Sequence, residues 1–128
     1  MTHTPTLESA TLFKGNGSVL VRFQFDGEVP RSDTFLIGLW GHSANGKTTR
    51  QFGLKFLDGE RIAYFVFDHN AIKQTNWDDH VPTVDPNQVL VPYPSEHFDA
   101  LGEGAELTAY VNVAGVDTQR SVPVEIVG

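Results

Sequence analysis

Apolar and polar residues alternate along three short runs between Thr34 and Asp68: TFLIGLWGH, TRQFGLKFL and ERIAYFVFD. A period of two marks a strand with one buried face. The runs are separated by Asn45-Gly46 and Asp58-Gly59, pairs that accept the positive φ angles of a tight hairpin turn. Turns centred on these pairs set register by arithmetic. Across the first, Phe35, Ile37 and Leu39 stand opposite Phe56, Leu54 and Phe52. Across the second, Phe52, Leu54 and Phe56 stand opposite Phe65, Ala63 and Arg61. Both registers gather Phe35, Ile37, Leu39, Phe52, Leu54, Ala63, Phe65 and Phe67 on one face, and a one-residue slip would break that agreement. The pattern predicts a three-stranded meander, with Tyr64-Phe65-Val66-Phe67 lying between two strands.

The flanking chain repeats the theme. Residues 1–5 are polar and read as frayed, and Thr6 to Phe13 reads as an edge strand. Ser18 to Asp26 alternates cleanly, with Val19, Val21, Phe23 and Phe25 on one face. The stretch 69–88 is long and irregular, with Ile72, Trp77, Val81 and Val84 as apolar anchors that fold it back on a sheet. Gln88 to Val91 is a short strand stopped by Pro92-Tyr93-Pro94. One helical turn follows near 95–101, with Ser95 as its cap and Gly102 as its end. Glu106 to Val113 alternates again, burying Leu107, Ala109, Val111 and Val113. The last strand carries Val122, Val124 and Ile126 inward, and Pro123, which has no N–H, makes it an edge or bulges it.

About eight short strands at this spacing predict an all-β fold, a two-sheet antiparallel sandwich spanning residues 1–128 as a single domain. The segment GEGAELTAYVNVAGVDTQRSVPVEIV resembles the end of fibronectin type III and other immunoglobulin-like domains, which carry a turn, an alternating strand, a short turn and a final strand. Leu107 stands where such domains often place a corner tyrosine. The resemblance implies an immunoglobulin-like sandwich and names no ligand.

Composition narrows the partners. The chain has 128 residues and is 40% hydrophobic, with nine Phe and two Trp, enough for a substantial core. Sixteen acidic against nine basic residues give a net charge of −7, which repels phosphate backbones and argues against nucleic acid. No apolar stretch reaches membrane-spanning length, so membrane insertion is not expected. The absence of cysteine excludes disulfides and thiolate zinc sites. The N-terminal MTHTPTLESATLF lacks the basic start and apolar core of a secretory signal, which points to the cytoplasm or a virion.

The opposite face of the meander supplies the candidate site. In the same registers its rows are Trp40–Gln51–Val66, Gly38–Gly53–Tyr64 and Leu36–Lys55–Ile62. Two glycines side by side leave a bare backbone floor, and glycine within a strand often marks close approach of a ligand or another backbone. Trp40, Gln51, Lys55 and Tyr64, with Trp77 arriving from the 69–88 stretch, form a platform suited to a sugar ring or a protein partner. Tyr64 leaning over the glycines is the structural alternative. Ile62 and Val66 on this face call for cover, by the 69–88 stretch or by a second subunit.

Asp78, Asp79 and Asp85, close to Asp68 and Asn70, offer oxygens for calcium. Their spacing matches no EF-hand, and solvated, turn-forming residues are the simpler reading. The histidines lack the close pairs of a zinc site, and no nucleophile elbow accompanies them. No catalytic residue is assigned. The expectation is a non-enzymatic module recognising a glycan or protein through one sheet face and the 69–88 stretch. The alternative is a structural or assembly protein, such as a virion decoration component, using that face for homo-oligomer contacts.

Overall fold

A computed structural model describes residues 6–29, 33–78 and 82–127. The elements in chain order are β1 (Leu7–Lys14), β2 (Ser18–Phe25), β3 (Thr34–His42), β4 (Thr49–Leu57), β5 (Glu60–Asp68), β6 (Lys73–Asn76), β7 (Thr83–Asp85), β8 (Gln88–Pro94), α1 (Glu96–Asp99), β9 (Glu106–Val113) and β10 (Val116–Val127). Residues 1–5 and Val81, named above, lie outside the described residues. Among the described residues no helix is long and apolar enough to cross a membrane.

The fold is all-β, but it is not a two-sheet sandwich of eight strands. Among the described residues ten strands form one mixed sheet, ordered β6-β5-β4-β3-β9-β10-β1-β2-β8-β7, curled into a half-barrel. The reason lies in β10, which belongs to both halves. Its first part pairs antiparallel with β9 as far as Pro123, and Val124 to Val127 then pair parallel with β1. Register shifts on either side of Gln119 bend the strand, and Pro123 falls at the hand-over, where its missing N–H matters least. The Gln119 side chain reinforces the joint: its Oε1 accepts from Leu7 N at 2.7 Å and its Nε2 donates to Leu7 O at 3.1 Å. β10 is therefore bulged and interior. β1 is interior too, between β10 and β2, and not the edge its loose alternation suggested.

The concave faces of the two halves share one core. Val21, Phe23, Phe25, Val89, Val91 and Tyr93 meet Phe35, Ile37, Leu39, Phe52, Leu54, Ala109 and Val111, all buried. Ring contacts cross the middle, Phe25 to Phe35 at 5.8 Å and Phe52 to Tyr93 at 5.2 Å. α1 seals one end by stacking Phe98 on Phe52 at 4.3 Å. Ser95 precedes this turn without a side-chain capping bond. Gly102, at φ +77°, ends it as expected.

The long 69–88 stretch supplies both edges of the sheet, β6 beside β5 and β7 beside β8. Ile72 is no anchor, being 81% exposed, whereas Trp77 packs against the core. β8 runs on through Pro92 to Pro94 rather than stopping. β7 pairs with β8 only from Gln88 to Leu90, so beyond that point no outer strand needs a proline N–H. Ile126, expected inward, is half exposed at the open end of β10.

The meander is present, and its first register is the expected one: Phe35, Ile37 and Leu39 pair with Phe56, Leu54 and Phe52. The second hairpin begins as expected, with Asp58 at φ 51° and Gly59 at φ 82° and with Phe56 opposite Arg61. The ladder then slips by one, so that Lys55 faces Ala63, Leu54 faces Tyr64 and Phe52 faces Val66. Ile62 is the extra residue, 52% exposed. This bulge sends Tyr64 and Val66 into the core and turns Ala63, Phe65 and Phe67 outward, reversing their expected places. The segment 64–67 does lie between two strands, β4 and β6.

Deleting Ile62 removes the extra residue without changing the pairing of 63–68. The deletion variant should fold with a loss of roughly 1 kcal/mol or less, read from urea denaturation. Without a bulge, the same deletion would invert every side chain from 63 to 67 and abolish the cooperative transition.

Candidate functional site

On the convex side of β9, β3, β4 and β5 the bulge redraws the rows. They are Trp40–Gln51–Phe67, Gly38–Gly53–Phe65 and Leu36–Lys55–Ala63, bordered by Thr108, Tyr110 and Asn112 of β9. The two glycines pair as expected, but their floor is covered. A Cβ at Gly53 would lie 2.5 Å from Cε1 of Phe65. One at Gly38 would strike the Phe52 carbonyl and come within 2.6 Å of the Tyr110 hydroxyl. Phe65 and Tyr110 therefore occupy the space that the missing side chains leave, as aromatic rings do over strand glycines.

Trp40 is the centre of what stays accessible. Its ring is 5.0 Å from His69 and 6.1 Å from Tyr110, and it lies nearly parallel to His42 at 6.3 Å. His69 also meets Phe67 at 4.6 Å. A polar chain runs beneath: His69 Nε2 lies 3.4 Å from Gln51 Oε1, Gln51 Nε2 donates to the Tyr110 hydroxyl at 3.1 Å, and that hydroxyl donates to Phe52 O at 2.9 Å. Burial raises the Tyr110 hydroxyl pKa above its ordinary value, against the Gln51 bond, so it remains a donor. Beside Trp40 opens a cavity of about 230 Å³, lined by Leu36, Trp40, Gln51, Tyr110, Asp117 and Arg120. Asp117 stands at its edge, accepting from Asn112 Nδ2 at 2.9 Å and lying 3.5 Å from Arg120 Nε.

Of the five residues expected on the platform, Trp40, Gln51 and Lys55 share this face, with Lys55 two rows from Trp40 beyond the covered glycines. Tyr64 and Trp77 lie on the opposite side. Tyr64 is 4% exposed, its hydroxyl donates to the Pro92 carbonyl, and its ring sits 5.0 Å from Trp77 and 5.5 Å from Tyr93. Val66 is buried with it, while the bulge turns Phe65 and Phe67, both half-buried, onto this face and leaves Ile62 52% exposed. Tyr110, His69, Asp117 and Arg120 enter the site unforeseen. Tyr110 alone was signalled, by its place between inward Ala109 and Val111; Asp117 and Arg120 arrive through the irregular part of β10.

The described part of the calcium candidate set is separated. Asp79 lies outside the described residues, Asp78 offers its backbone carbonyl to Arg61 Nη2 at 3.1 Å, and Asp85 sits on β7 beside Gln88. Among the described residues no three His, Cys, Asp or Glu side chains gather closely enough for a metal ion. Asp68 and Asn70 shape the turn after β5. Asp68 accepts from the N–H groups of Asn70 and Ala71, and Asn70 accepts from Thr49 N at 2.9 Å.

A second cavity, of about 320 Å³, lies on the concave side between β5, β6 and α1 and includes Arg50, Asp68, Lys73, Glu96 and His97. Arg50 braces it, with Nη2 3.2 Å from Asp68 and Nη1 3.0 Å from His97 Nδ1. A guanidinium can only donate, so Nδ1 accepts and His97 is neutral with its proton on Nε2. Burial, and then the adjacent Arg50 charge, hold His97 below its ordinary pKa, with Glu96 and Asp68 opposing. Comparison of the chain with family models, with curated proteins and with solved structures finds no match.

Gly38→Ala meets backbone and should cost roughly 3 kcal/mol, whereas Gly53→Ala meets a side chain and should cost about 1–2 kcal/mol. Adding Phe65→Ala to Gly53→Ala should cost less than the sum of the two single changes, which a double-mutant cycle in urea measures. The depressed His97 pKa means that the unfolded chain takes up this proton first. Stability should therefore fall as pH drops from about 6.5 through the folded pKa, and His97→Gln should flatten that slope in pH-dependent melting.

Proposed function

We propose that the chain is a non-enzymatic binding module that takes a neutral glycan on its convex face around Trp40. The observation that carries this reading is the indole beside a small cavity edged by Asp117, Arg120 and Gln51. A pyranose presents an apolar C–H face and a rim of hydroxyls. The first stacks on an aromatic ring, and the second needs fixed charged or amide groups that donate and accept hydrogen bonds. Asp117, already oriented by Asn112 and Arg120, is suited to accept from two hydroxyls, while Arg120 donates to a third. A carboxylate at the cavity and a net charge of −7 disfavour an acidic sugar. Of the 69–88 stretch, His69 contributes to this site and Trp77 does not. Use of this same face as a subunit contact is the alternative: Val66 points into the core, but Phe65, Phe67 and Ile62 keep the face partly apolar.

The test is a glycan array probed with the wild type, Trp40→Ala and Asp117→Asn. Trp40→Ala should abolish the signal, a loss of roughly thirtyfold or more in affinity, and Asp117→Asn should weaken it while both variants keep the wild-type melting profile. A blank array for the wild type, or binding indifferent to Trp40, contradicts the reading.

A further inference from the structure

The chain holds two Asn-Gly pairs at hairpin ends, and the fold treats them differently. Glycine after asparagine leaves the following backbone nitrogen unshielded and free to turn, because it carries no Cβ. Asn45-Gly46 is tied down. Asn45 Oδ1 accepts from Ser43 Oγ at 2.7 Å and from Lys47 N at 2.9 Å, and Gly46 N donates to Ser43 O at 2.9 Å. Asn16-Gly17 forms the tip of the β1–β2 hairpin, where Gly15 N donates to Ser18 O at 3.0 Å and Gly17 stands at φ +77°. Residues 15–18 are exposed. Among the described residues neither the Asn16 side chain nor the Gly17 N–H has a hydrogen-bond partner.

We propose that Asn16 is a spontaneous modification site, at which the folded chain deamidates while Asn45 is protected. In this reaction the Gly17 nitrogen gives its proton to a solvent base and attacks the side-chain carbonyl carbon of Asn16. A new C–N bond forms, the side-chain amide C–N bond breaks, and ammonia leaves, closing a succinimide. Water then opens the ring at one of its two carbonyls, giving aspartate or isoaspartate. At Asn16 the nucleophile and the amide are both solvated, so no contact has to open first. At Asn45 the Gly46 N–H must leave Ser43 O and the side chain must swing off Ser43 and Lys47, which requires local opening of the loop. Isoaspartate lengthens the main chain by one carbon between residues 16 and 17. The Gly17 carbonyl accepts from Ser95 N at 3.2 Å, a bond that joins the hairpin tip to the start of α1. Beside it lies a cavity of about 500 Å³ whose lining includes Lys14, Gly15, Val19, Ser95 and Phe98. Conversion at Asn16 therefore loosens the seal that α1 makes on this end of the half-barrel.

Incubation of the full chain in mildly alkaline buffer, followed by tryptic digestion and mass spectrometry, tests this. Cleavage after Lys14, Arg22 and Lys47 puts the two asparagines in separate peptides. In the folded chain Asn16 should convert at least about tenfold faster than Asn45, whose hydrogen bonds must open first. In guanidinium chloride the two should convert at nearly equal rates, because the dipeptides are the same. Amide exchange at Ser95 should be faster in aged wild type than in aged Asn16→Gln, whose longer side chain closes a ring far more slowly. An unchanged Asn16, an Asn45 that keeps pace with it in the folded chain, or a gap that persists in guanidinium chloride overturns the assignment. Ser95 exchange that is the same in the two aged proteins overturns the link to α1.

Discussion

One unpaired residue in β5 determines what the rest of the molecule can be. With Ile62 standing outside the ladder, the strand beyond it presents Tyr64 and Val66 to the core and Phe65 to Gly53. The reversed arrangement would need a second bulky ring where Tyr93 and Phe98 already crowd Phe52. It would also leave the Gly53 hole to a tyrosine whose hydroxyl now satisfies Pro92. A bulge sacrifices one ladder position and adds local twist. Here it fills a cavity on one side of the sheet and completes the core on the other.

The same slip draws the open side of the half-barrel together. Tyr64 reaches Pro92 on β8 and packs with Trp77 and Tyr93, joining parts of the chain that share no strand pairing. β10 performs the equivalent task on the other flank by passing from β9 to β1. Between these two ties, two layers of strands behave as one continuous sheet, and Gln119, bonded to both backbone groups of Leu7, takes the part of a missing ladder rung.

Much of this was legible in the amino-acid sequence, and the exceptions have physical causes. The Asn45-Gly46 turn is a longer loop than two residues, closed by Ser43 N to Thr48 O. Register survived because that loop is centred on the same pair. The second hairpin departs from the expected register beyond Arg61 because Ile62-Ala63-Tyr64-Phe65-Val66-Phe67 is apolar on both faces, so alternation does not choose between them. The glycine pair was visible, but which ring covers each glycine depended on the bulge and on Tyr110 from a distant strand. Single-sheet topology was hidden in β10, where Pro123 signalled an irregularity without revealing a change of partner. The candidate site was half legible for the same reason: Trp40 and Gln51 lie upstream of the slip, Tyr64 downstream of it.

The proposed polar and aromatic site around Trp40 rests on side-chain directions fixed by strand register. The most direct measurement is the set of proton–proton contacts of the β5 aromatic rings by NMR. Ring protons of Phe65 should show contacts to the Gly53 α-protons, with Tyr64 ring protons close to Trp77 and Tyr93. Contacts from Phe65 to the Phe52 or Tyr93 rings, with Tyr64 lying over the glycines, would contradict the account.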